Sequence, residues 1–396
     1  MKKVLFALIF LFFAACKESE LPKDIEEEDL TDSRESEEID HCEEKFIALD
    51  TFPTINYTSL KIEDYAQFLE IKKKYSYSDS NKWSNKAFIT LNRKEMRFLK
   101  IGDSIVVPDT IIADMRAYSV YPPYYCDAKH IPKLIMVSNK FQCYAAYEYG
   151  VLVRFAAANT GKERTPTYPG RYALVWRDRI RKSSLDSTWV LPYTWNFHRY
   201  AGNAFHQFDM PGRAVSHSCI RQFLSDSKWL YDWGKGVELD SNKQQIWLSG
   251  TPVIIQGMFD YDRKFGPWLD LANNKEGRLK LSSNPMDVEE AYIPIKQIPE
   301  EIQGWIPNRK RYLVAEDTLR ARGIIPEDVT LIESVNFNKR RREKKAREAK
   351  AAKEKARLDS INGVKSSTDM DLIRKKLEEL EGKKLETNPT DSTEKK

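Results

Sequence analysis

A mainly β protein with flanking α+β segments is what this sequence predicts, on three observations. Residues 130–257 alternate short apolar, β-branched and aromatic runs with polar turns, the pattern of successive strands. A hydrophobic content of 41%, with 12% aromatic residues, is enough for a sizeable core and excludes a chain that is disordered throughout. Charge is segregated, with an acidic stretch early and a basic one late, so the net charge of +5 conceals two oppositely charged ends. At 396 residues the chain has room for about two folded units plus tails.

The opening MKKVLFALIFLFFAAC has a basic start, an apolar run too short to span a bilayer, and two small residues before a cysteine. This is the layout of an export signal. The Ala14-Ala15-Cys16 ending resembles the lipobox of bacterial lipoproteins, with Phe13 where leucine is more usual. The alternative is a plain secretory signal cut near Ala15. The lipoprotein resemblance implies that residues 1–16 are a signal, that Cys16 carries the lipid and that the mature chain is membrane-held. It also implies a place in the cell envelope, facing the periplasm from the outer membrane. The CKESE start is similar to the acidic export signal of surface lipoproteins in the Bacteroidetes group. Cys42, Cys126, Cys143 and Cys219 then occupy a compartment that permits disulfides, and a Cys126–Cys143 pair is one open possibility.

Residues 17–44 are rich in Glu, Asp and Ser and read as a flexible acidic tether. A small α+β module is expected over 45–129. In IEDYAQFLEIKKKYSY, Ile62, Tyr65, Phe68, Leu69 and Ile71 fall mostly on one helical face. FLKIGDSIVVPD resembles the last third of a LysM-type glycan-binding module, and it also reads as a generic strand after a Gly-Asp turn. Within 130–257, KLIMVSNKFQCYAAYEYGVLVRFAAANTG offers two apolar runs, and RYALVWRDRI and TPVIIQG offer further strands. SDSKWLYDWGKG reads as a short helix ending at glycine. Residues 258–336, with repeated prolines, suggest an appended subdomain or a wrapping extension. Residues 337–396 form a basic tail, helical or disordered. Its NKRRREKKAREAKAAKEKAR segment carries eleven Lys or Arg against three Glu and no apolar stripe.

Chemistry concentrates in 191-LPYTWNFHRYAGNAFHQFDMPGRAVSHSCIRQ-222. Three of the five histidines, His198, His206 and His217, precede Cys219 there. A thiol is only a few per cent ionised at neutral pH, so a nucleophilic cysteine needs a base or cation beside it. A neighbouring imidazole can take the thiol proton and return it to a leaving amine, provided another group fixes its tautomer. The residues supply a nucleophile and candidate bases without showing which imidazole touches the sulfur. The competing account of Cys219 is inert apolar packing. His198, beside Trp195, Phe197 and Tyr200, suits packing or substrate contact and is the rival base. Asp209 and Asp226 read as surface or capping residues.

SHSCIR resembles the Ser-His-Gly-Cys-Ile/Val-Arg/Asn signature of the L,D-transpeptidases with a YkuD-type catalytic domain. NTGKERTPTYPGRYAL is similar to that family's substrate-side strand pair, FHQF to its upstream His motif and LSGTPVIIQG to its closing strand. The resemblance covers roughly Ile131 to Gly257 and implies a β-sandwich catalytic domain over 130–257, without cofactor or metal. It makes Cys219 the nucleophile and His206 the general base, oriented by the carbonyl of Gln207. His217 supports the site, Ser216 hydrogen-bonds within the turn, and Arg221 orders the loop or meets a substrate carboxylate. Ser218 stands where the family has glycine, which puts the oxyanion hole and hence activity in question if that position needs a positive φ. The implied partners are peptidoglycan stem peptides, cross-linked through a cysteine thioester in cell wall biogenesis. A carboxypeptidase and a weakened wall-binding lipoprotein are the alternatives.

Other chemistries fit less well. His198, His206, His217 and Cys219 lack the short paired spacings of zinc motifs. A papain-like peptidase has Cys before His in chain order, the reverse of this chain. No phosphate-binding glycine loop occurs. In an exported protein the basic tail is expected to meet anionic wall polymers or lipids and not nucleic acid.

Overall fold

The computed structural model describes residues 41–183, 185–241, 246, 249–263, 265–365 and 370–385. The export signal with Cys16 and most of the acidic tether lie outside the described residues. Residues 41–49 form a helix (α1) within a unit that ends at Thr51, so the last part of the expected tether is helical. Phe52–Lys396 form a second compact unit.

That unit begins with strand β1 (Tyr57–Lys61), helices α2 (Tyr65–Tyr75) and α3 (Lys82–Asn92) and strand β2 (Ser104–Pro108), with β1 and β2 antiparallel. Asp64 caps α2 by accepting from the Gln67 amide at 2.9 Å, and the Gln67 side chain accepts from the Glu63 amide at 2.8 Å. Ile62, Ile71, Tyr75, Phe88, Leu99 and Ile105 make a small core of their own. The segment is nevertheless tied to the strands C-terminal to it. Arg93, in the left-handed conformation after α3 (φ 52°), is only 1% exposed and donates to the carbonyls of Leu91 and Phe141 at 2.6 and 3.1 Å.

Two sheets carry the rest. β3 (Leu134–Ser138), β4 (Cys143–Glu148), β5 (Val151–Ala157), β6 (Gly170–Ala173) and, much later, β11 (Pro252–Gln256) form a five-stranded sheet in the order β5-β4-β3-β11-β6. β7 (Trp176–Lys182), β8 (Val190–His198), β9 (Asn203–Gln207) and β10 (Ile220–Gln222) form a four-stranded sheet in the order β10-β9-β8-β7. The two apolar runs expected over 131–157 are thus three strands, because the tight turn at Tyr149-Gly150 divides the second. RYALVWRDRI likewise splits into β6 and β7 and switches sheets.

The alternation of the strands explains why the five-stranded sheet is central. Ile135, Val137, Val253 and Ile255 face a layer shared with Trp195, Phe197, Phe205 and Ile220 of the other sheet. Leu134, Met136 and Ile254 point the opposite way, into a layer with Ile55, Leu91, Met115 and Trp268. Each such aliphatic side chain contributes about 1.5–3 kcal/mol on burial, so this sheet needs cover on both faces. Helix α4 (Leu224–Trp233) follows β10 and ends before Gly234, as its sequence predicts. Asp226 in its first turn is not a surface or capping group: it is buried and pairs with Lys86 at 2.7 Å and Arg154 at 2.5 Å. Burial raises its pKa, but the two cations prevail and hold it below the usual carboxylate range. Asp209 does lie at the surface, 2.5 Å from Arg97.

Residues after β11 wrap rather than append. Trp268 and Leu269 complete one apolar layer, and Ile293, Ile298, Leu319 and Leu331 join the other. Where the extension crosses β6, a Cβ on Gly170 (φ 134°) would lie 2.6 Å from the Ala291 Cα. The extension contains short helices α5 (Glu300–Gln303), α6 (Arg309–Leu313) and α7 (Ala315–Ala321). Helices α8 (Phe337–Lys365) and α9 (Met370–Leu385) come next. At the start of α8, Asn338 accepts from the Ser187 amide at 3.0 Å and Arg341 pairs with Asp186, both at the tip of the β7–β8 hairpin. Among the described residues no helix is long and apolar enough to cross a membrane.

Candidate active site

The turn carrying Cys219 is held by the loop after β5, residues Asn159 to Thr167. The amides of Val215 and Ser216 donate to the Thr160 carbonyl at 2.9 and 3.0 Å, and the Lys162 amide donates back to the Ser216 carbonyl at 3.0 Å. Thr165 and Thr167 hydroxyls donate to the carbonyls of Ser216 (3.1 Å) and Ser218 (3.0 Å). The Ser216 hydroxyl closes the turn on the Cys219 carbonyl at 2.5 Å. Gly161 is required by close approach, since a Cβ there would sit 2.2 Å from the Thr165 carbonyl oxygen. Ser218 has φ 75°, so a serine occupies the left-handed conformation that favours glycine. The backbone path is thus kept, at a local cost of about 1 kcal/mol or more.

His206 lies on β9, which pairs in parallel with β10 so that His206 stands opposite Arg221 and Phe205 opposite Ile220. Cys219 immediately precedes β10 and takes a hydrogen bond from the backbone of Ala204, two residues before His206 on β9. His206 Nδ1 is 3.0 Å from the Gln207 carbonyl oxygen. A carbonyl only accepts, so Nδ1 carries the proton and Nε2 keeps a lone pair able to take one. Burial, opposed by the Gln207 carbonyl and aided by the Arg221 charge, brings the His206 pKa down to about 4. Burial also raises the Cys219 thiol, while a hydrogen bond from the Ala204 backbone and the Arg221 charge lower it. Both directions favour the neutral pair, thiol and imidazole, at rest.

His217 is half-buried, with its ring 5.3 Å from that of Trp189 at the end of the β7–β8 hairpin. Its Nε2 lies 3.3 Å from Lys162 Nζ, which as a cation can only donate. Burial, then the charges of Lys162 and Arg221, bring its pKa down to about 4. Arg221 stacks 4.7 Å above the Phe208 ring and donates to the Asp209 carbonyl at 3.1 Å. The structure therefore gathers Ser216, His217, Ser218, Cys219 and Arg221 around one turn, with His206 and Gln207 on the adjoining strand.

It does not bring His198 there. That residue follows a register shift in β8 and pairs with Asn203. It accepts at Nδ1 from the Ala201 amide (3.0 Å) and meets the Tyr312 hydroxyl through Nε2 (3.2 Å). With Nδ1 accepting, the proton sits on Nε2 and no lone pair remains for a base. Its cavity of about 280 Å3 is lined by Tyr172, Tyr200, Glu290 and Tyr312 among others, and by none of residues 216–221. Of its two expected roles the aromatic packing is what the structure contains, in place of a substrate contact beside the thiol. Cys143 is a free, buried thiol and does not pair with Cys126, which is disulfide-bonded. Among the described residues no group of three or more His, Cys, Asp and Glu side chains is placed to hold a metal ion. Lys162 and Trp189 belong to the site without having been expected there. Lys162 lies inside the TGKERTPT motif, whereas the place of Trp189 depends on a hairpin that no local pattern announces.

Residues 132–255 match the family model of the L,D-transpeptidase catalytic domain, YkuD. The match runs from just before β3 into β11 and contains Cys219, His206 and the loop from Asn159 to Thr167. Among solved structures, an L,D-transpeptidase from Stackebrandtia nassauensis is 24% identical over 33% of this chain and 58% of its own, with a TM-score of 0.27. One from Mycobacterium smegmatis is 16% identical over 32% of this chain and 59% of its own (TM-score 0.26). One from Xylanimonas cellulosilytica is 19% identical over 51% of this chain and 98% of its own (TM-score 0.30). This chain thus spans less than two thirds of the first two. No curated protein matches it. The matched segment contains the two sheets and the thiol turn, and leaves the β-α-α-β segment, the extension and the basic tail outside the match.

Proposed function

We propose that the YkuD-type domain is an acyltransferase that cross-links peptidoglycan stem peptides through a thioester on Cys219, in cell wall biogenesis. The observation that carries this is the placement of a half-buried thiol, just before β10, against the strand that bears His206, an imidazole whose Nδ1 proton is tied to the Gln207 carbonyl at 3.0 Å.

The Cys219 sulfur attacks the amide carbonyl between the third stem residue, an L-centre of a diamino acid, and the terminal D-residue. As the C–S bond forms, the thiol proton passes to His206 Nε2. The same proton then goes to the departing amine as the C–N bond breaks, leaving a thioester. Because burial disfavours the charged form of both groups, little thiolate stands ready beforehand, which favours proton transfer in concert with attack. Backbone amides around Cys219 face the developing oxyanion, and Ser218 supports their placement by adopting the glycine-like φ. An amine from a second stem completes a cross-link; water gives carboxypeptidase action instead.

The β-α-α-β order of residues 57–108 supports a LysM-type glycan-binding role for that segment. Lipidation at Cys16 would hold the chain at the outer membrane, facing the periplasm, and the disulfide at Cys126 suits such an oxidising compartment. Incubating the purified chain with tetrapeptide stems and weighing it intact tests the enzyme reading. A thioester adduct on Cys219 with release of the D-residue is expected. No adduct and no processed stem would leave only a wall-binding lipoprotein.

A further inference from the structure

We propose that Lys162, together with Arg221, forms a two-cation clamp for the terminal carboxylate of the acyl donor, making Lys162 a specificity residue of the thiol site. The inference rests on the acyl-transfer reading above and names what that site selects.

Lys162 is positioned by the turn itself, its amide donating to the Ser216 carbonyl at 3.0 Å, while its ammonium reaches His217 Nε2 at 3.3 Å. Among the described residues neither Lys162 nor Arg221 forms a direct ion pair, and the Asp209 carboxylate acts on Arg221 only from a distance while its own partner is Arg97. Glu163, next in the chain, acts on Tyr261 and not on Lys162. Burial and then the like charges of Arg164 and Arg221 pull the Lys162 pKa below its usual range. A fold that gathers like charges in a half-buried place incurs desolvation and repulsion, which an arriving anion relieves. The Trp189 ring over His217 excludes water on one side and strengthens any such attraction. Lys162 reaches His217, two residues before Cys219, and Arg221 stands two residues after it, opposite His206 on β9, so an anion shared by the two cations lies beside the thiol and the scissile bond. In the proposed donor the group there is the α-carboxylate of the D-residue that leaves.

The test compares acylation of the full chain by a tetrapeptide ending in a free acid and by the same peptide ending in an amide, read as thioester mass on Cys219. The wild type should favour the acid about tenfold or more in kcat/KM. Lys162→Met should raise KM for the acid far more than it affects acylation by the amide, and so erase most of that preference. Lys162→Arg should keep most of the preference. Equal acylation by both donors in the wild type, or an equal loss for both in Lys162→Met, overturns the clamp alone, the second showing that Lys162 acts through His217. No adduct from either donor overturns the acyl-transfer reading and the clamp with it.

Discussion

Cys143 and Cys219 are both free thiols with an arginine as neighbour, and their surroundings differ in what else is present. Cys143 is 0% exposed on the central sheet beside Arg93, whose guanidinium lies between the rings of Trp268 and Phe155 at 5.1 and 5.8 Å. Burial pushes the Cys143 thiol up to about 11, and Arg93 offsets only part of that. Cys219 is only half-buried, follows a left-handed residue and lies against the strand that bears an imidazole of fixed tautomer. A nearby cation is therefore not what distinguishes the proposed nucleophile from Cys143. Access and an oriented base are.

The largest test of that contrast is removal of each sulfur. Cys219→Ala should abolish the thioester and lower turnover on the order of 10^4-fold, whereas Cys143→Ala should keep turnover within about threefold and cost about 1 kcal/mol of stability. Iodoacetamide should label the native protein at Cys219 and spare Cys143, by peptide mapping. A smaller effect separates the two buried imidazoles. His206→Ala should cost on the order of 10^2- to 10^4-fold in acylation, and His198→Ala should instead lower the melting temperature with acylation largely kept. The reverse ordering would overturn the base assignment.

The pH profile sharpens the comparison further. Loss of activity on the acid side should follow protonation of His206, whose pKa of about 4 lies below the ordinary histidine value near 6.5. Protonation removes the lone pair, so kcat/KM should hold between about pH 5 and 6 and fall as pH drops through about 4. An acid limb near 6.5 would mean that the base is more solvated than its burial indicates. The smallest expected effect is that of Ser218→Gly. Relief of the left-handed serine, offset by the greater freedom of glycine in the unfolded chain, should change stability by about 1 kcal/mol or less. The Thr167 hydroxyl still meets the residue 218 carbonyl, so acylation should change less than about threefold.

Much of the site was legible because its parts are local in sequence. Cys219, Ser216, His217 and Arg221 sit in one turn, and FHQF contains both the imidazole and the carbonyl that orients it. The positive φ at residue 218 could be anticipated because a serine stands in a glycine position. Lys162 and Trp189 could not be placed, since each reaches the turn only through long-range pairing: one by the Gly161–Ser216 bridge, the other from the end of the β7–β8 hairpin. The burial of Asp226 was hidden for the same reason, as its partners come from α3 and β5. Apolar periodicity found strands but not their count, because a two-residue turn such as Tyr149-Gly150 leaves hardly a gap in a hydrophobic run.

The two apolar layers have a practical consequence for anyone trimming the gene. A fragment cut to the matched segment 132–255 would keep every residue of the thiol site. It would lose Ile55, Leu91 and Trp268 from one side of the central sheet, and Ile293, Ile298 and Leu331 from the other. The matched segment marks only where the likeness to known proteins lies, and the solubility of a recombinant piece is decided by residues well beyond it on either flank.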